Sequence, residues 1–154
     1  MNETFRLADQ IRRAFEGSAW HGDSLLEILA DVSAKTAAAH PVKNAHSIWE
    51  LLLHIAAWDD AVTRSIGGAV SLSDSQNFPP VTDTSEAAWR QAVESAKRTH
   101  NELIKAVASF PDSRLQEQVP GKTEKYHNFY YMFSGVVQHE LYHAGQIALL
   151  KKFQ

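Results

Sequence analysis

Apolar residues recur at three- and four-residue steps through most of this chain, the mark of helices that each turn one face to a core. Phe5, Ala8, Ile11 and Phe15 form the first such stripe, and Gly17 with the Trp20-His21-Gly22 step interrupts it. A second run opens on a Ser24-x-x-Glu27 capping box and carries Leu25, Ile28, Leu29 and Val32 on one face. It is predicted to continue through Ala37, Ala38 and Ala39 and to stop at His40-Pro41, because the residue before a proline avoids the helical region. Ser47 and Glu50 make another capping box. Behind it Ile48, Leu52, Ile55, Val62 and Ile66 predict a helix that Gly67-Gly68 ends. From Ser85 to Phe110 the helical period returns, with Trp89, Ala92, Ala96, Leu103 and Val107 as its buried face and Pro111 as its stop. The last stripe is Phe129, Phe133, Val136, Leu141, Ala144, Ile147 and Leu150, predicting a long helix from about Asn128 to Lys151. Lys151 and Lys152 then sit where the helix dipole favours positive charge.

Two long connections separate these helices. The stretch 68–84 is polar, lacks a period and contains Pro79-Pro80; a connection of that kind is usually mobile or functional. The stretch 111–125 holds a Pro120-Gly121 turn, and its Leu115 and Val119 predict a short extended piece. The expectation is an all-α, single-domain four-helix bundle over 1–154.

Composition narrows the chemistry. The chain has 154 residues, 44% hydrophobic and 21% charged, an ordinary balance for a folded domain. It has no cysteine, which excludes disulfide scaffolds, thiolate metal sites and cysteine nucleophiles. A net charge of −3, spread along the chain, argues against nucleic acid as a partner. Glu50, His54 and Lys151 interrupt the longest apolar stretches, so none is predicted to span a bilayer, and the N-terminus lacks a signal-peptide core. The expected setting is the cytoplasm and the expected partner a small molecule.

The eight histidines carry the most specific signal. His139 and His143 are four residues apart and share one helix face, where two imidazoles can meet one metal ion. Glu140 beside His139 completes the pattern of zinc peptidases, but only 11 residues follow His143 and none is His, Asp or Glu. The extended peptidase form fails too, with Gln146 and Leu149 where it requires glycine and histidine. A third ligand is sought upstream, and His54, one turn from Leu51 and from Trp58, borders the buried stripe of its helix. Three protein ligands would leave a coordination position open, as catalytic sites require. Glu140 is a candidate general base or hydrogen-bond acceptor for an imidazole, and Gln146 a candidate partner for one. His21 is a weaker candidate at the site's mouth, with a simple turn role as its alternative. His40, His46, His100 and His127 are expected at the surface, Asp59-Asp60 on a solvated face, and Trp49, Trp58 and Trp89 in the core.

The segment Ser47-Ile48-Trp49-Glu50-Leu51-Leu52-Leu53-His54-Ile55-Ala56-Ala57-Trp58, followed by His139-Glu140-Leu141-Tyr142-His143-Ala144-Gly145-Gln146-Ile147, resembles the DinB-like superfamily of metal-binding four-helix bundles. The likeness covers nearly the whole chain and implies a divalent ion, zinc or nickel, on His54, His139 and His143. It also implies metal-dependent hydrolysis, or alternatively metal-assisted transfer of a low-molecular-weight thiol such as bacillithiol or mycothiol. A non-enzymatic metal-binding or sensing module is the third reading. Homodimers are common in that family, and the apolar helix faces permit one here.

Overall fold

The computed structural model describes residues 2–153. Seven α-helices occur among them: α1 (Glu3–Glu16), α2 (Leu25–Leu29), α3 (Ala34–Ala38), α4 (Ile48–Ser65), α5 (Asp74–Asn77), α6 (Glu86–Ser109) and α7 (Phe129–Leu150). The long ones, α1, α4, α6 and α7, form the expected bundle. Ser24 and Ser47 cap α2 and α4 in reciprocal capping boxes, and Ser85 and Asn128 accept from backbone amides to cap α6 and α7. The start of α1 is held from a distance. Asn2 makes no side-chain cap; the Asp112 carboxylate instead accepts from the backbone N–H groups of Glu3 and Thr4 at 2.8 and 3.0 Å.

Side-chain pairings fix the helix directions. Trp49 meets Trp89 and Asp59 meets His100, so α4 and α6 run parallel. His54 meets both His139 and His143 while Asp59 lies by Glu140, so α7 runs antiparallel to α4. Phe15 stacks on His100 and Thr4 reaches Asp112, which sets α1 antiparallel to α6. Because α4 and α6 are parallel neighbours, the chain leaving α4 must travel back along the bundle before α6 can begin. That return accounts for the long 66–85 connection, which contains the one-turn helix α5.

Two expectations are corrected. The run from Ser24 to Ala39 is not one helix: it breaks after Leu29, and Ser33 caps a separate α3 by accepting from the Thr36 N–H. A Glu86 oxygen accepts from the Ala34 N–H at 2.8 Å, tying this second start to α6. The 111–125 stretch contains no strand; its extended character is confined to a bridge between Gln118 and Asn128, while Leu115 and Val119 are buried against the bundle. The two long connections touch at Gly121, which has φ +79° and where a Cβ would lie 2.8 Å from the Cβ of Ala69. Gly121→Ala is therefore expected to destabilise the fold by about 1–3 kcal/mol, from left-handed strain plus overlap. Denaturant unfolding measures this, and a loss under 0.5 kcal/mol, the usual size of an ordinary surface effect, would mean that the connections do not press together there.

The core has two apolar halves. One gathers Leu25, Trp49, Leu52, Trp89 and Ile147; the other gathers Ile11, Val62, Leu103, Phe129 and Phe133. Between them each of three helices contributes one buried ionisable group: Asp59, His100 and Glu140. No helix among the described residues is long and apolar enough to cross a membrane.

Candidate metal centre

His54 projects from the second turn of α4, and His139 and His143 from successive turns of α7, where the antiparallel helices pack together. His54 Nε2 and His139 Nε2 are 3.0 Å apart. One nitrogen from each of the three imidazoles falls within 4.8 Å of the others.

In two of the rings the other nitrogen is anchored. His54 Nδ1 donates to the Asn77 carbonyl at 2.8 Å, and His143 Nδ1 donates to Gln146 Oε1 at 2.7 Å. These bonds fix both tautomers, leaving each Nε2 with a lone pair. The proton between His54 and His139 then belongs to His139 Nε2. Phe78 stacks on His54 with ring centres 4.1 Å apart, and Trp58 donates its indole N–H to Asn77 Oδ1 at 2.8 Å. The 66–85 connection thus brings Asn77 and Phe78 against the ligand helix.

Burial favours the neutral form of all three rings. It pushes His54 and His143 below the ordinary histidine value. In His139, burial together with the neighbouring imidazoles lowers the pKa to about 3. Near pH 7 the three rings are therefore neutral, the charge state a metal requires.

The other expected site residues are distributed differently. Gln146 contacts His143, as described. Glu140 does not join the histidines. It is fully buried, with Oε1 3.0 Å from His100 Nδ1, and makes no hydrogen bond to His54, His139 or His143. That geometry places its carboxyl away from the triad, against the expectation of a base there. The i+1 position that turns Glu140 away from the His139 face turns it into the core, while Leu141, expected there, is only half-buried. His21 is exposed in the Ala19–Gly22 turn, in a depression that includes Arg13 and Leu141, away from the triad.

Three further placements overturn expectations. His100 is completely buried, not superficial, and stacks on Phe15 with ring centres 4.0 Å apart. Asp59 is buried as well; its Oδ2 accepts from His100 Nδ1 at 2.9 Å. Trp58 is 39% exposed and lies by the triad instead of in the core, whereas Trp49 and Trp89 are buried as expected. The missed signal was in the stripes themselves. Asp59 stands between Ile55 and Val62, and His100 between Ala96 and Leu103, at core spacing in otherwise apolar faces. Asn77 had no such signal, because a carbonyl contact from an aperiodic segment leaves no pattern.

A family model described as the DinB superfamily matches residues 19–147, a span that includes all three histidines of the triad. The chain belongs to the DinB superfamily. The comparisons with curated proteins and with solved structures returned no match. The four-helix arrangement and the histidine triad of this DinB-superfamily chain therefore rest on its own geometry together with the family match.

Proposed function

We propose that His54, His139 and His143 hold one divalent ion, zinc or nickel, and that the chain is a metal-dependent hydrolase of a small molecule. The convergence of three neutral imidazoles from two helices, those of His54 and His143 anchored through Nδ1, carries this reading. Nitrogen donors suit zinc and nickel, and the donor set contains no carboxylate. An ion held by three uncharged ligands keeps its full double charge, and so supplies Lewis acidity and lowers the pKa of water towards neutrality. The chain's own part is positional. Asn77 and Gln146 set the ring orientations, Phe78 covers one face of His54, and an apolar cleft opens beside His139.

Elemental analysis of the purified chain is expected to find about one zinc or nickel per chain. A chelator should abolish hydrolysis of activated esters, and zinc or nickel should restore it. Hydrolysis that survives full metal removal would refute the proposal. Metal-restored addition of a thiol to an electrophile, without any hydrolysis, would assign the site to thiol transfer instead. Gln146→Leu removes the acceptor on His143 Nδ1 and is expected to weaken metal binding about 10- to 100-fold, the usual cost of losing such a support. Competition with a chromogenic chelator measures it; unchanged affinity would show that Gln146 does not support the ligand.

A further inference from the structure

We propose that the molecule acted on at the triad carries a neutral, apolar arm the size of an aromatic ring, seated in the cleft between α4 and α7. This deepens the metal reading and rests on it. The cleft has a volume of about 220 Å³ and includes His139 in its wall, so an occupant lies directly beside the triad. An apolar cavity of about 150 Å³ can take benzene, so a ring with a short linker fits the space here.

The walls are mainly apolar. Val62, Met132 and Val136 supply apolar surface, and no lysine or arginine lines the cleft. Its one carboxylate, Asp59, is buried, with Oδ2 hydrogen-bonded to His100 and Oδ1 unpartnered, and His127, an ionisable side chain of the wall, lies 3.4 Å from the Glu124 carboxylate. Trp58 has its only polar atom engaged by Asn77, so what it offers an occupant is ring surface. Tyr131 adds a second aromatic side chain to the lining.

Gly135 is the independent observation. It lies inside α7, where glycine costs about 1 kcal/mol relative to alanine, and its backbone does not have the positive φ that would demand glycine. A Cβ built there meets no atom within 4 Å, and Gly135 lines the cleft. The missing side chain therefore keeps the space open at a cost in helix stability.

Calorimetry on the zinc-loaded protein separates this arm from the metal. Acetohydroxamic acid presents the chelating head alone; 3-phenylpropanohydroxamic acid adds a neutral aromatic arm; succinic monohydroxamic acid adds an anionic one. The phenyl compound is expected to bind at least about 10-fold more tightly than the head alone, as burial of a ring warrants. The carboxylate arm should add nothing. Gly135→Leu should erase the phenyl advantage and leave acetohydroxamate within about twofold of the parent value, with Gly135→Ala intermediate. Equal affinity for the three probes, or a phenyl advantage intact in a Gly135→Leu protein of unchanged helicity, overturns the cleft proposal while leaving the metal reading standing. Failure of zinc to bind overturns both.

Discussion

Alanine at His139 is expected to reduce the metal content of the chain from one divalent ion to almost none. Metal-dependent turnover should fall on the order of 10³-fold, since the ion is asked to supply several kcal/mol of charge stabilisation. His139 approaches both of the other rings, with its Nε2 3.0 Å from that of His54 and its ring centre 4.5 Å from that of His143. Removing it leaves two imidazoles on different helices, with no third donor in the triad to replace it. Metal added at 100 times its dissociation constant should stabilise the parent chain by about 2.7 kcal/mol and the variant not at all. Elemental analysis and thermal melts with and without metal test both statements. One ion retained per variant chain would show that His139 is not a ligand.

The buried layer of Asp59, His100 and Glu140 yields the second large effect. His100→Ala is expected to destabilise the fold by about 3–5 kcal/mol, because two buried carboxyl groups lose the imidazole that faces both. Replacing all three at once (Asp59→Val, His100→Leu, Glu140→Leu) should cost much less than the single change, since no unpaired polar group then remains buried. A triple variant as unstable as the single would refute this account of the layer.

The same layer sets a pH dependence. Burial alone would lower His100, but the hydrogen bond to Asp59 and the Glu140 carboxyl outweigh it and raise the pKa to about 9. Burial raises Glu140 to about 7 and also pushes Asp59 upward. Above pH 7 the folded chain keeps a proton on His100 that the unfolded chain has released. Stability from this group is complete below the unfolded value of 6.5 and is lost as pH rises through about 9. Denaturant titrations should therefore find a decline between pH 7 and 9, with a slope approaching about 1.4 kcal/mol per unit for one proton. The triple variant should lose that slope; its persistence there would place the titrating group elsewhere.

Local signals made the helices and the triad legible. The capping boxes at Ser24 and Ser47 lie where the chain enters a helix, and the i, i+4 spacing of His139 and His143 is a property of one helix face. His54 could be named because Leu51, one turn away, is a core residue on the same helix, although Trp58, one turn the other way, is exposed. What could not be read was relational. Stripe periodicity says that α4 and α6 each have a buried face, but it is silent on their relative direction. Without that direction, neither the meeting of Asp59 with His100 nor the path bringing Asn77 to His54 follows. A polar residue in an apolar stripe also has two solutions, solvent or a buried partner, and only the other helices decide between them. Glu140 illustrates this: the same motif that suggested a base at the metal places its carboxyl in the core.

The parallel pairing of α4 and α6 also bounds how this chain can be edited. An 18-residue helix is about 27 Å long, so a connection between parallel partners needs roughly eight extended residues merely to reach the next start. Deletions within 66–85 are thus tolerable down to that length as far as topology is concerned, at the expense of the Asn77 and Phe78 contacts. Below it the chain can close only as a hairpin. Reversing α6 in that way would carry His100 away from Asp59, so the length of an irregular segment encodes the orientation of a whole helix.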